Sequence, residues 1–178
     1  MPRYVAFLRA INVGGRTVKM DRLRDIFESL GLTEVETFIA SGNVIFRSRS
    51  ANPAALEKKI ETQLRKSLGF DVSTLIRSTS ELSGIVGLDA FPGAVKPTST
   101  LYVGLLKSAP DEGVRQQVLA FRTSTDEFRL EGRELYWLRH TKSMDSIFSG
   151  GRLEKTVRTA ATFRNVTTLR KLAEKYCE

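Results

Sequence analysis

The feature that most restricts this chain is the order in which its apolar residues change period over residues 4–77. Tyr4 to Arg9 is a short aromatic and aliphatic run of strand type. Met20, Leu23, Ile26, Phe27 and Leu30 then recur at helical spacing, and Gly31 stops the helix. Val35 to Ile39 and Val44 to Arg47 read as two strands around the turn Ser41-Gly42-Asn43. Asn52 is a natural N-cap with Pro53 in the first helical position. Leu56, Ile60, Leu64 and Leu68 make the stripe of a second helix, Gly69 ends it, and Val72 to Arg77 is the next strand. The order β-α-β-β-α-β is that of a ferredoxin-like sheet, four antiparallel strands with both helices on one face.

Ser78 and Glu81 have capping-box spacing and start a short helix with Leu82, Ile85 and Val86. The turn-rich stretch Phe91 to Thr98 separates a first lobe, 1–92, from a second, 98–178, and the two also read as one compact domain. Leu101 to Leu106 reads as a strand, and Pro110 opens a helix with Val114, Val118, Leu119 and Phe121 inward. Glu127 to Leu130 and Glu134 to Arg139 form a hairpin around Gly132. Ser143 caps a helix holding Met144, Ile147 and Phe148, which Gly150-Gly151 breaks. A last helix, Val166 to Tyr176, stands where a fourth strand would complete a second cycle. The fold expected is α+β, a ferredoxin-like first lobe packed with a smaller second α+β lobe.

Charge narrows the function classes. The net charge is +8, and all of the excess comes from the two ends. Residues 1–20 hold Arg3, Arg9, Arg16 and Lys19 with no acid, and residues 139–178 hold nine basic side chains against four acidic ones. If the ends meet, their pooled field attracts phosphate, nucleic acid or acidic small molecules. No apolar run approaches the roughly 18 residues of a membrane span, and Arg9 interrupts the one N-terminal run. With Cys177 as the only cysteine, no internal disulfide is available. A cytoplasmic protein without membrane contact is the expectation.

The residues for most catalytic chemistry are sparse. His140 is the only histidine; as a base it would need a nucleophile beside it, and a lone histidine at a strand end ordinarily packs or faces solvent. One histidine and one cysteine make no metal-ligand pattern, so neither a metal nor a cofactor is expected. Gly14-Gly15 stands between strand and helix, where phosphate-cradling loops sit, but matches neither G-x-G-x-x-G nor the P-loop. Arg9, Asn12, Arg16 and Lys19 surround it with donors, whereas a tight turn alone also accounts for the glycines. Ser41 and Asn43 carry the same ambiguity. In this topology the loop holding Asn12 and the hairpin holding Asn43 are expected at opposite ends of the sheet, which counts against a shared site. Leu135 and Trp137 share a strand face, which places Trp137 in the core rather than on a base-stacking platform.

Three pieces, Tyr4-Val5-Ala6-Phe7-Leu8-Arg9-Ala10-Ile11-Asn12-Val13-Gly14-Gly15, Phe38 to Phe46 with Ser41-Gly42-Asn43-Val44, and Thr162-Phe163-Arg164-Asn165, together resemble the family called domain of unknown function 1697 (DUF1697). Glu154-Lys155 fits that family's late E-K pair. Ala40 stands where the family usually carries glutamine, and Val166 where it carries tryptophan. The resemblance implies a bacterial-type cytosolic protein with a ferredoxin-like first lobe, and no activity.

The leading functional expectation is a small anionic ligand, phosphorylated or nucleotide-like, bound by Arg9, Asn12, Gly14, Gly15, Arg16, Ser41 and Asn43 with Lys155, Arg164 and Asn165. A polar and basic site without His or Cys suits binding, or catalysis by electrostatic stabilisation. The alternatives are nucleic-acid binding through the same basic face, since 18 of the 28 basic residues are arginine, and a protein-interaction module without a ligand. Oligomeric state is open, and the chain is read neither as an enzyme nor as a non-enzyme.

Overall fold

The computed structural model describes residues 1–39, 42–142 and 146–177. The chain divides into two compact units. The first spans Met1–Ser83 and takes in Tyr176 and Cys177; the second spans Gly84–Lys175. The division falls inside a helix, ahead of the turn-rich stretch 91–98.

In the first unit the elements are β1 (Arg3–Leu8), α1 (Met20–Glu28), β2 (Thr33–Phe38), β3 (Asn43–Arg47), α2 (Pro53–Leu68) and β4 (Thr74–Ser78), and α3 (Thr79–Gly87) begins there. The sheet order β2-β3-β1-β4, antiparallel throughout, is the ferredoxin-like arrangement that the sequence order specifies. Leu23, Ile26 and Phe27 of α1 and Leu56, Ile60 and Leu64 of α2 form one core with Tyr4, Ala6, Leu8, Val44, Phe46 and Ile76 of the sheet. Each of these side chains is nearly or fully removed from water, which is worth about 1.5–3 kcal/mol per large residue.

The ends of α2 follow their sequence signals. Asn52 Oδ1 accepts from the Ala55 amide at 3.1 Å, and Gly69 closes the helix at φ +81°. Two carboxylates of α2 also reach the edge strand β4. Glu61 accepts from the Thr74 amide and Glu57 from the Ile76 amide, both at 2.9 Å. These bonds occupy amides that an edge strand would otherwise offer to another chain. The capping box forms as well: Ser78 Oγ accepts from the Glu81 amide and the Glu81 carboxylate from the Ser78 amide.

The second unit has the elements β5 (Thr100–Leu106), α4 (Glu112–Leu119), β6 (Asp126–Glu131), β7 (Glu134–Arg139), α5 (Gly150–Val157), β8 (Ala161–Asn165) and α6 (Val166–Tyr176). Its order β6-β7-β5-β8 reproduces the first sheet strand for strand. Two expectations change here. First, β8 is the fourth strand that the sequence reading leaves out. Thr162, Arg164 and Asn165 make it look polar, but it pairs with β5 from Ala161 to Asn165, and Arg164 is largely buried on it. Second, Gly150-Gly151 starts a helix instead of ending one. Ser149 is the N-cap, its Oγ accepting from the Arg152 amide. The proposed cap Ser143 and Met144 lie outside the described residues.

Phe163 explains two glycines of this unit. A Cβ on Gly104 of β5 would lie 2.6 Å from its ring, and one on Gly150 3.1 Å. The ring occupies the space above both backbones and packs edge-on to Trp137 at 6.1 Å. Trp137 is 4% exposed, so it is a core residue as its strand face predicts, and Tyr136 beside it is buried too. Neither offers a stacking surface for a base.

Candidate functional site

Six of the ten residues singled out by sequence meet at one end of the first unit's sheet. Phe7 of β1 lies opposite Asn43 of β3, so the exit of β1 and the turn that opens β3 are neighbours. The expectation that they lie at opposite ends is incorrect. Helix α1 brings the chain back to the start of the sheet, so β2 runs parallel to β1 and finishes at the end where β1 finished.

The two segments are joined by backbone contacts. The Leu8 amide donates to the Gly42 carbonyl at 2.8 Å, and the Arg9 amide donates to the Ser73 carbonyl at 2.9 Å. Gly42 is held at φ +77°, and a Cβ there would sit 2.7 Å from Ile11 Cγ2. Glycine is required at 42 for both conformation and space. Non-glycine residues on either side carry strain: Ala10 at φ 53° and Ile39 at φ 55° both occupy the left-handed region.

The asparagines shape the loops. Asn12 Oδ1 accepts from the Val18 amide at 2.8 Å and closes the loop into α1. Asn43 is fully buried, and its Nδ2 donates to the Phe38 carbonyl at 3.0 Å, tying β3 back to β2. Gly14 and Gly15, at φ +62° and +81°, form the tight turn in which the Arg16 amide donates to the Val13 carbonyl. A Cβ on either would meet nothing within 4 Å, so the turn needs glycine for its dihedral angles alone. Ser41 lies outside the described residues, as does the departure at Ala40.

Around this frame Arg9, Arg16 and Lys19 are exposed. The Arg16 guanidinium lies 4.4 Å from the centre of the Phe70 ring, a cation–π contact that fixes its position. Arg3, counted by sequence in the same basic group, is instead bound to Glu34 at 3.1 Å, beside Arg47 at 2.8 Å. Hydrogen bonds from Arg47 and then Arg3 hold the Glu34 carboxyl below its ordinary range. The same end exposes two aliphatic side chains, Val13 at 56% and Ile39 at 53%.

Lys155, Arg164 and Asn165 belong to the second unit. Lys155 is exposed on α5. Arg164 Nη1 donates to Thr162 Oγ1 at 2.7 Å and to the Phe163 carbonyl at 3.0 Å, and burial lowers its pKa to about 10. Asn165 Oδ1 accepts from the Thr167 amide at 2.9 Å and caps α6. Arg164 and Asn165 therefore have structural work in β8 and at the start of α6.

The second unit also holds a cavity of about 360 Å³ that sequence reasoning missed. Ser99, Thr100, Asp89, Asn165, Val166 and Arg170 are among its walls, and Val166 is the second departure from the family pattern. Near it, Ser99 Oγ lies 3.0 Å from His140 Nδ1, and His140 Nε2 lies 2.7 Å from Glu127 Oε2. Among the described residues no cluster of three or more His, Cys, Asp or Glu has the form of a metal site. Among them, too, no helix is long and apolar enough to cross a membrane.

Comparison with known proteins adds a family and a fold. The family model described as "Protein of unknown function (DUF1697)" matches residues 1–136. That span contains the R-x-I-N-V-G-G and S-G-N-V blocks and stops short of residues 162–165. No curated protein matches the chain. Among solved structures, a conserved bacterial protein from Streptococcus pneumoniae superposes with a TM-score of 0.71 at 24% identity, covering 100% of this chain and 99% of that one. At that identity the likeness concerns the two-lobed α+β fold.

Proposed function

The chain belongs to the DUF1697 family, and from that premise we propose that it binds a small anionic ligand, phosphorylated or nucleotide-like, at the loop end of its first unit. One observation carries the reading: the two signature blocks within the matched span fold onto each other through Leu8, Ile11 and Gly42. Arg9, Arg16 and Lys19 ring the turn at Gly14-Gly15. Arginine donors and an amide-rich glycine turn are the ordinary partners of a phosphate group. Strain at Ala10 and Ile39 is the kind of cost that binding sites retain. Val13 and Ile39 supply apolar surface on which the uncharged part of a nucleotide-like molecule rests.

The test is a calorimetric titration with mononucleotides, phosphorylated sugars and single-stranded oligonucleotides at two salt concentrations. Binding of a mononucleotide that the double substitution Arg9→Ala/Arg16→Ala weakens at least tenfold supports the proposal. Affinity for polymers alone, falling steeply with salt at about −0.7 log units per phosphate contacted, would replace it with a nucleic-acid-binding role. No heat with any of these ligands removes it.

A further inference from the structure

We infer that Ser99, His140 and Glu127 form a nucleophile–base–carboxylate chain, and that the second unit carries a serine-dependent ester hydrolase site. The geometry has three parts. Ser99 Oγ is 3.0 Å from His140 Nδ1, within reach for proton transfer. His140 Nε2 is 2.7 Å from Glu127 Oε2, so the carboxylate fixes the ring and its tautomer. Ser99 also lines the cavity of about 360 Å³, a volume within the range of small-molecule sites. A nucleophile, a base in contact with it and a third group orienting the base make up the pattern by which such sites are recognised on unrelated folds. The imidazole here uses Nδ1 toward the serine and Nε2 toward the carboxylate.

Folding alone does not call for this chain. The turn at Lys96–Ser99 is closed without His140, by the Ser99 amide on the Lys96 carbonyl at 2.9 Å and by the Lys96 amide on Ser99 Oγ at 3.1 Å. The His140 backbone is held separately, its amide donating to the Thr125 carbonyl at 2.8 Å. Glu127 is itself paired through its other oxygen with Arg122 at 3.4 Å. The side chains of His140 and Glu127 retain 17% and 20% exposure, so the chain is shielded yet reachable.

The reaction follows from these positions. Ser99 Oγ attacks an ester carbonyl, and its proton passes to His140 Nδ1 as the Oγ–C bond forms. The ester C–O bond breaks, and the leaving alcohol takes that proton. Water then attacks the acyl-serine with His140 as base, which releases the acid and restores the Ser99 hydroxyl. Glu127 is a positioning residue, since it acts through His140. Arg170 on the cavity wall directs preference toward esters carrying an anionic group.

Two probes test the inference in the full-length protein. Diisopropyl fluorophosphate reports the nucleophile, because Oγ–P bond formation expels fluoride and sends the serine proton to His140. Peptide mass spectrometry is expected to find the adduct on Ser99. Hydrolysis of p-nitrophenyl acetate is expected to fall at least 100-fold in Ser99→Ala and His140→Gln, in line with the loss of a nucleophile or general base. Glu127→Gln should lower the rate less and shift its pH profile, which loss of packing alone would not do. Wild-type protein whose Ser99 stays unlabelled after exhaustive treatment overturns the inference without reference to any variant. So does a Ser99→Ala protein that hydrolyses the ester at the wild-type rate.

Discussion

Gly42 lies under Ile11 so closely that a single added methyl group would sit 2.7 Å from the isoleucine Cγ2. This contact locks the hairpin before β3 to the loop after β1, and the position of Arg9 and Arg16 depends on it. Gly42→Ala must overcome both the positive φ and the overlap, and should cost about 2–4 kcal/mol. Gly14→Ala meets only the conformational term, about 1–2 kcal/mol. Urea unfolding of the two variants side by side measures the difference.

Asp126 gives the second unit a pH dependence. Burial pushes its carboxyl up, but hydrogen bonds from Thr125, Trp137, Ser146 and Thr123 outweigh that and hold it below the ordinary aspartate value. A carboxyl depressed in the folded state contributes stability that is fully present above its unfolded pKa, about 3.9. That stability is lost as pH falls through the lower, folded value. Asp126→Asn should destabilise the unit by about 1–3 kcal/mol at neutral pH and flatten its stability profile below about pH 4. Trp137 donates to Asp126 at 2.8 Å, so its fluorescence reports the transition directly.

Arg164 and Lys155 separate structural from surface cations. Arg164→Ala removes a largely buried guanidinium and its bonds to Thr162 and Phe163, and should cost about 2–4 kcal/mol. Lys155→Ala changes an exposed position on α5 and should stay within about 0.5 kcal/mol of the parent. Thermal melts of both variants decide the matter, and a neutral Arg164→Ala would mean that the β8 contacts contribute little.

Gly104 is the strictest small-residue position of the second sheet. A Cβ there falls 2.6 Å from the Phe163 ring. Gly104→Ala alone should be destabilising by about 1–3 kcal/mol, and adding Phe163→Leu should recover part of the loss. A double-mutant cycle in urea measures that coupling; strict additivity would show that the ring moves aside freely.

Much of this architecture is legible in the amino-acid order. The caps of α2 at Asn52 and Gly69, the box at Ser78 and Glu81, and the whole span of α6 follow from local signals that the tertiary structure leaves intact. β8 is not legible, because its Arg164 is an apolar-face residue in position and a cation in composition. α5 is hidden by a glycine pair whose first member, Gly150, gives clearance beneath Phe163, a fact of packing rather than of helix propensity. The adjacency of Asn12 and Asn43 was contained in the strand order and follows once strand directions are traced correctly. His140 lies 41 residues from Ser99 and 13 from Glu127, so only the sheet brings the three into line.

The return of Tyr176 to the first unit bears on synthesis. Its hydroxyl donates to Glu36 at 2.8 Å, its carbonyl accepts from Arg3, and its ring stands edge-on to Phe38 at 6.1 Å. The residue that finishes the amino-terminal half thus lies 140 positions further along the chain than its partner Glu36. During translation that half waits with the flank of β2 uncovered, and a stop codon placed before Tyr176 would strand it in that state.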